Sequence, residues 1–223
     1  MRTYFLHRIA RLPNAWLLLS LVALVVLYPM IEPNQAGRAA SAAFDLLILA
    51  LALRAARVSV PEARLGYVLV VPAVVLHVVA AFTPGLGWQV ANLATQALFH
   101  AFVVVCLLRY MLRDEVMTLD ELFAAAGLYV LMAFVFAYLY AMVELLSPGA
   151  FFINPVNNPG GVTRWWDLLY FSFTCLTSVG FGEITPVSDH ARSLVMIQQM
   201  VGVLYLALVI SRLVAMQAGR RRD

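Results

Sequence analysis

The stretch Thr-Cys-Leu-Thr-Ser-Val-Gly-Phe-Gly-Glu at residues 174–183 decides the fold of this chain. Gly180 and Gly182 stand at alternate positions in it, and glycine enters the left-handed backbone region without the clash that a Cβ causes. Alternation of right- and left-handed residues would turn neighbouring carbonyls toward one axis. Where four such loops meet, their carbonyl oxygens can replace the water shell of an ion. The alternative interpretation is a glycine-rich turn between two helices.

The residues before this stretch predict a short helix. Asp167 is placed to cap an amphipathic run over residues 168–176, since an aspartate at this position accepts hydrogen bonds from the first free N–H groups. The run is too short to cross a bilayer, which takes about 20 residues. Helix and loop together therefore predict a re-entrant hairpin. The carbonyl end of such a helix, the negative pole of its dipole, would point at the ion path and favour cations.

The wider segment W-W-D-L-L-Y-F-S-F-T-C-L-T-S-V-G-F-G-E-I-T-P resembles the pore helix and selectivity filter of tetrameric potassium channels. The resemblance extends over residues 165–210 without a gap, and His190-Ala191-Arg192 opens an inner helix as in that family. It implies a homotetramer, because one loop per chain cannot close a ring. The filter residues that it implies are Thr177, Ser178, Val179, Gly180, Phe181 and Gly182, with K+ held at Ser178, Val179, Gly180 and Phe181. The implied supporting residues are Asp167, Tyr170, Phe171, Thr174 and Glu183.

Three filter residues differ from the commonest family pattern. Ser178 replaces threonine and keeps its hydroxyl, and Glu183 replaces aspartate. Phe181 replaces tyrosine, so the hydroxyl that in many relatives ties the filter to pore-helix aromatics is absent. The aromatic positions concerned are Tyr170 and Phe171. These differences predict a less rigid filter more than a less selective one.

The composition is that of an integral membrane protein. Hydrophobic residues make up 63% of the chain and charged residues 12%, which a soluble domain would not tolerate. The basic residues other than histidine are all arginine and lie scattered along the chain, so no basic patch suggests nucleic acid. The sequence has no metal-ligand spacing, nucleophile elbow or phosphate loop. We therefore expect neither an enzyme nor an organic cofactor.

The apolar stretches predict an all-α membrane protein with six spans and the re-entrant loop between the last two. The predicted spans are residues 15–31, 39–56, 65–82, 88–112, 122–146 and 192–214. The predicted domains are an N-terminal four-helix domain at 1–117, a pore domain at 118–217 and a short basic tail at 218–223. Thr118-Leu119-Asp120-Glu121 predicts a capping box that opens the fifth helix, and residues 147–164 predict an outer turret.

The orientation of the chain follows from two independent arguments. A potassium filter lies toward the outer face, and counting back over the predicted spans places both termini in the cytoplasm. The predicted cytoplasmic segments then hold 12 of the 15 arginines, which agrees with the positive-inside rule. The N-terminus also resembles a signal peptide, but its apolar run ends at Pro29 and Glu32, well before the small residues at 39–43. We expect a retained first helix and a plasma membrane location, in a bacterium the inner membrane.

The fourth predicted span lacks the charges of a voltage sensor. Steep voltage dependence needs several basic residues within the membrane, because one charge crossing 100 mV gains only about 2.3 kcal/mol. Residues 90–108 hold none, and Arg109 and Arg113 lie at the cytoplasmic end, where they would anchor the helix at the headgroups. The sequence therefore predicts weak voltage dependence. The short connection over residues 113–121 favours packing of the N-terminal helices on their own pore domain.

Three ionisable residues fall within the first four spans: Asp45, His77 and His100. Such residues are functional candidates in a membrane, and histidine can respond to pH. Satisfied contacts inside the bundle, a gating role and a proton path remain open, in that order of preference. Cys106 and Cys175 lie in predicted helices and are interpreted as small apolar fillers.

The last span contains Gly202, at the position where the inner helix of potassium channels has its hinge glycine. The resemblance implies a gating hinge, because a mid-helix glycine loosens the backbone at a cost of about 1 kcal/mol relative to alanine. Close helix packing is the alternative. In the same register, Val203, Leu206 and Ile210 would line the central cavity.

These features together predict a potassium-selective channel that conducts passively. One alternative is a potassium-uptake transporter subunit descended from channels, although such proteins carry four unequal loops in one chain. Another is a non-conducting membrane regulator with a pore fold. The short tail after the last span leaves no room for a cytoplasmic ligand-binding domain, so we expect lipid, pH, tension or a separate regulatory subunit to open the pore.

Overall fold

The computed structural model describes residues 12–27, 47–48, 50–51, 54, 60–83, 85–113, 118–156 and 158–220. Asp45 and most of the second predicted span, residues 39–56, lie outside this part of the chain. The helices are α1 (Pro13–Leu27), α2 (Val60–Phe82), α3 (Leu86–Arg113), α4 (Leu119–Leu146), α5 (Trp165–Leu176) and α6 (Asp189–Arg220). Two short strands are β1 (Phe151–Ile153) and β2 (Ile184–Pro186).

Three of these helices are long and apolar enough to cross a membrane: α3, α4 and the Asp189–Ala215 part of α6. They confirm the spans predicted at residues 88–112, 122–146 and 192–214. Two further apolar helices, α1 and the Arg64–Ala80 part of α2, are shorter and lie where the first and third spans were predicted. The protein is thus a mostly helical membrane protein, and the total of six spans stays a prediction.

Helix α4 lies at the centre of the described chain. It packs against α1 and α3 on one side and against α5 and α6 on the other. Thr118 begins it with the predicted capping box, in which Glu121 N donates to Thr118 Oγ1 at 3.3 Å and Thr118 N donates to Glu121 Oε2 at 2.6 Å. The N-terminal helices α1 and α3 therefore rest on the outer helix of their own chain, as the short connection favoured.

Apolar side chains form most of the contact between α1, α3 and α4. Leu17, Leu21, Phe99, Leu131 and Phe134 are all buried in one continuous cluster there. Its polar contacts gather at one end, where Asn14 Nδ2 donates to Asp120 Oδ2 at 2.8 Å and the Tyr110 hydroxyl donates to the same oxygen at 3.1 Å. Burial of apolar surface thus holds these helices to the centre of the fold.

A two-stranded ribbon frames the re-entrant segment. Strands β1 and β2 pair antiparallel with Phe152 opposite Thr185, and the Glu144 carboxylate accepts hydrogen bonds from Gly149 N at 2.9 Å and Phe151 N at 3.0 Å. The ribbon joins the turret to the chain that follows Glu183. Sequence analysis did not predict it, although the run Phe-Phe-Ile at 151–153 is typical of a strand.

The pore helix α5 begins at Trp165, three residues before the predicted start at Leu168. Asp167 consequently is not the N-cap. It lies inside the first turn, and its Oδ2 accepts a hydrogen bond from Arg164 N at 2.9 Å while the Arg164 guanidinium bonds the carboxylate at 3.2 Å. The prediction was wrong because a carboxylate at the third helical position can reach back to the cap as well as stand at it.

Candidate functional site

The loop after α5 alternates in handedness at every residue from 178 to 182. Ser178, Gly180 and Gly182 have φ values of 58°, 54° and 83°, and the two residues between them do not have positive φ. The two glycines were predicted to be left-handed. Ser178 was not, since a residue with a Cβ is strained there by about 1–2 kcal/mol. Extending the spacing of the glycines back by two residues would have identified it.

The N–H groups of the loop bond backward to the end of the pore helix. Val179 N and Gly180 N donate to the carbonyl of Thr174 at 3.0 Å and 3.2 Å, and Ser178 N donates to that of Cys175 at 3.1 Å. All peptide bonds concerned are trans, and in a trans peptide the N–H and the preceding C=O point in opposite directions. The carbonyls of Thr177, Ser178 and Val179 therefore all face away from the pore helix, on one side of the loop.

The loop is exposed on the single chain. Val179 is 55% exposed and Phe181 70% exposed, and the filter positions from 177 to 182 are all exposed. Val203, Leu206 and Ile210, the residues predicted to line a cavity, are also exposed large apolar side chains on α6. An isolated chain would therefore expose apolar side chains of both the filter loop and α6.

Tyr170 connects the pore helix to the end of the filter loop, at Phe181 and Glu183. Its ring stacks on Phe181 with the centroids 6.4 Å apart and the planes at 5°. Its hydroxyl donates a hydrogen bond to the Glu183 carboxylate, which together with desolvation and the negative charge of Glu183 raises the pKa of Tyr170 to about 12. Sequence analysis expected a loose filter because Phe181 has no hydroxyl. In the structure the ring that stacks on Phe181, that of Tyr170, carries a hydroxyl, and this hydroxyl bonds Glu183.

The other supporting residues act inside the chain. Phe171 is buried, and its ring lies 5.4 Å from that of Tyr140 and 5.6 Å from that of Phe151. Thr174 donates its hydroxyl to the Phe171 carbonyl at 2.8 Å and supports the loop through its own carbonyl, as described above. Cys175 and Cys106 are both buried and form no disulfide, which agrees with their interpretation as small apolar fillers.

Gly202 lies where the inner helix passes the end of the pore helix. A Cβ at this position would overlap the carbonyl oxygen of Leu176 and lie 3.1 Å from Leu176 Cδ1. The Tyr129 hydroxyl donates to the same carbonyl at 3.2 Å. Close packing, the alternative considered for Gly202, is therefore present in this conformation. The hinge role stays a prediction.

The two histidines lie in the N-terminal helices and not beside the filter loop. His100 is buried, with Nδ1 2.8 Å from the Gln96 carbonyl and its ring 5.2 Å from that of Tyr138. His77 lies beside Asn92. The contacts of His100 match the structural alternative, and a gating role for either residue remains a prediction. Asp45 lies outside the described residues.

Comparison with known proteins places the similarity on the part of the chain that carries the filter. A family model described as "Ion channel" matches residues 125–217. The chain is 34% identical over 73 residues to the potassium channel protein kcv of Paramecium bursaria Chlorella virus 1, an alignment that covers 32% of this chain and 77% of the viral protein. No solved structure matches the chain.

Proposed function

Because the chain belongs to the family of tetrameric potassium-channel pores, we propose that it is a homotetrameric channel that conducts K+ passively across a membrane and is no enzyme. The pore domain is residues 118–217, and residues 1–117 form a separate N-terminal transmembrane domain. The viral potassium channel of similar sequence supports the choice of ion. The membrane is the plasma membrane, in a bacterium the inner one, with both termini in the cytoplasm as the arginine distribution indicates.

The direction of the filter carbonyls is the observation that carries this proposal. Thr177, Ser178 and Val179 turn their carbonyls to one side because the following N–H groups are held by the pore helix. Four copies of this loop around one axis would stack rings of oxygens, continued by Gly180 and Phe181 and by the Ser178 hydroxyl. Such a cage replaces the hydration shell of K+ and discriminates against Na+ through its size or field strength.

The exposed apolar side chains of the single chain support the proposed assembly of several subunits. The apolar side chains of Val179 and Phe181 stand beside the carbonyls, and neighbouring subunits would cover them. The pore helix also ends at Leu176, directly before the loop, so four helix dipoles would bring their negative ends to the axis. Both features fit a cation path built at the centre of an assembly.

The N-terminal helices do not act as a strong voltage sensor in this proposal. Helix α3 carries arginine only at its last turns, Arg109 and Arg113, outside its apolar centre. A hinge at Gly202 and a cavity lined by Val203, Leu206 and Ile210 complete the proposed pore. His77, His100 and Asp45 remain candidates for setting how readily it opens.

Replacement of Gly180 by alanine tests the filter. Within its own chain a Cβ at Gly180 meets nothing within 4 Å, so inside one subunit the change acts through backbone strain, at about 1 kcal/mol or more in each chain. Gly161→Ala is the matched control, because Gly161 has a φ of 63° and equally free space but lies in the turret. In liposomes we expect a barium-sensitive K+ flux from the wild type and Gly161→Ala, and loss of flux or of selectivity in Gly180→Ala.

Equal K+ fluxes through all three proteins would refute the filter assignment. Absence of any flux from a correctly assembled wild type would favour the non-conducting regulator considered from the sequence. The transporter alternative requires four unequal loops in one chain, whereas this chain holds a single filter stretch.

A further inference from the structure

A buried glutamine joins the three helices of the pore domain. Gln198 of α6 has no exposed surface, and its Nε2 donates to Ser172 Oγ at 2.7 Å and to the Ser172 carbonyl at 3.0 Å. The Tyr140 hydroxyl of α4 donates to Gln198 Oε1. Ser172 Oγ in turn donates to the Ala133 carbonyl of α4 at 2.7 Å.

The side-chain groups of this network are all partnered. The amide nitrogen of Gln198 donates to two oxygens, and the hydroxyls of Tyr140 and Ser172 each donate to one. Such a network in a membrane interior is costly to disturb, because a lost partner leaves a polar group with no water to bond. It also fixes geometry, since each bond holds only within a narrow range of distance and angle.

The network contacts the pore helix close to the filter anchor. Ser172 stands two residues before Thr174, whose carbonyl holds the N–H groups of Val179 and Gly180. A rotation or shift of α5 at Ser172 would therefore move the Thr174 carbonyl and change the direction of the filter carbonyls. Gln198 of the inner helix and the Ala133 carbonyl of the outer helix both bond Ser172, and Tyr140 of the outer helix holds Gln198 in turn.

We propose that Gln198 is a positioning residue of the filter, which sets the rotation and depth of the pore helix so that K+ is preferred over Na+ although the side chain touches no ion. The inference rests on the proposed channel function. An amide suits the task because it donates twice to Ser172 and accepts once from Tyr140. A carboxylate at the same position would keep the acceptor and lose both donors.

The test compares Gln198→Met with the wild type in planar bilayers that separate K+ from Na+. Methionine matches glutamine in length and makes none of the three hydrogen bonds. We expect the tetramer to persist and the K+ over Na+ permeability ratio to fall about tenfold, the change in an equilibrium that loss of one buried hydrogen bond causes. Gln198→Glu should lower the ratio as well, because it lacks the donors to Ser172.

A matched control removes a buried polar contact outside the filter region. Asn14→Leu removes the bond that Asn14 Nδ2 donates to Asp120 Oδ2 between α1 and α4, and we expect it to lower thermal stability and leave the permeability ratio unchanged. The double variant Gln198→Met with Ser172→Ala should lose less selectivity than the sum of the two single variants, since both changes cut the bond between the two side chains.

An unchanged ratio in a tetrameric Gln198→Met channel would overturn the proposal. If that variant does not assemble, Ser172→Ala and Tyr140→Phe each remove one hydroxyl of the network, and an unchanged ratio in both would equally overturn it. A wild type that fails to select K+ would refute the channel function itself. A selective wild type with equally selective variants would refute only the role of Gln198.

Discussion

Two buried glutamines show how the pore domain differs from the helices that surround it. Both the amide nitrogen and the carbonyl oxygen of Gln198 in the inner helix make hydrogen bonds. Gln96 in α3 is equally buried, yet neither its Nε2 nor its Oε1 has a hydrogen-bond partner among the described residues. Hydrogen bonds therefore fix the orientation of the Gln198 amide relative to the neighbouring helices, whereas no such bond among the described residues orients the amide of Gln96.

The pore domain and the N-terminal helices differ in the same way in the contacts between their helices. Around the filter, hydrogen bonds connect the outer, pore and inner helices at Ser172, Leu176 and Ala125. Between α1, α3 and α4 the contact is mostly a cluster of apolar side chains. A hydrogen bond holds its two groups within a narrow range of distance and angle. The stabilisation from apolar contact is non-directional and roughly proportional to the buried area, so it changes less when helices shift slightly. The pore domain is thus the part in which small displacements should affect function most.

The largest effect is expected from Gly202→Ala, which is compared with Gly127→Ala, the same addition of one methyl group at a different helix interface. Gly202→Ala places a Cβ against the Leu176 carbonyl of the pore helix, whereas a Cβ at Gly127 lies 3.9 Å from the Leu17 side chain of α1. We expect Gly202→Ala to disturb the end of the pore helix and lower K+ conduction at least about tenfold, since backbone cannot yield as a side chain can. Gly127→Ala should conduct like the wild type.

Flux measurements on both variants, with assembly checked by gel filtration, test this pair. Normal conduction by Gly202→Ala would show that the inner helix can move away from Leu176, and would contradict both the close packing of this glycine and the hinge role that the resemblance implied. Loss of conduction in Gly127→Ala would show that the outer interface is as demanding as the inner one.

A smaller effect is expected from Tyr170→Phe, which keeps the ring that stacks on Phe181 and removes the hydroxyl that bonds Glu183. The filter should lose one restraint per chain and stop conducting sooner during a sustained current, by a few-fold, as for a net hydrogen bond of about 1 kcal/mol. Time courses of single-channel current measure this, and identical time courses would contradict the restraint.

The pH dependence of the same contact has a defined sign. The pKa of Tyr170 is raised to about 12, above the ordinary value of about 10, so the folded state stabilises the protonated hydroxyl. The stabilisation is fully present below the ordinary pKa and is lost as the pH rises toward 12. Wild-type conduction should therefore keep its time course from neutral pH to about 9, and Tyr170→Phe should remove any change seen above that.

The smallest effect is expected from the membrane potential. Helix α3 holds no arginine before Arg109, so few charges would move across the field, at about 2.3 kcal/mol each per 100 mV. Open probability should change little between negative and positive potentials in single-channel records. A steep conductance–voltage curve would show that the N-terminal helices move charge across the membrane. It would contradict the inference that displacements in the pore domain affect function most.

Local signals in the sequence were sufficient for part of this fold. The capping box at Thr118 and Glu121 is complete within four positions of the chain, and the three long apolar helices are evident from composition. Gly180 and Gly182 marked two left-handed positions because only glycine adopts them without strain. Each of these features depends on residues that are close together in the chain.

Two contacts that sequence analysis missed join residues far apart in the chain. The contact of Tyr140 with Gln198 joins residues 58 positions apart, and that of Tyr129 with Leu176 joins residues 47 apart. The left-handed Ser178 was missed for another reason: it continues the alternate spacing of the two glycines, but a residue with a Cβ is strained in that conformation and was not expected there. The start of α5 at Trp165 likewise depended on a choice between two roles for one carboxylate, which spacing alone does not decide.

The reversal potential of the purified wild-type protein in a planar bilayer, with K+ on one side and Na+ on the other, tests the central claim most directly. If rings of carbonyls from residues 177–181 select the ion, the current should reverse at a potential that follows the K+ gradient, and barium should block it. A reversal potential near zero under these conditions, with equal passage of both ions, would contradict a selective filter in this chain.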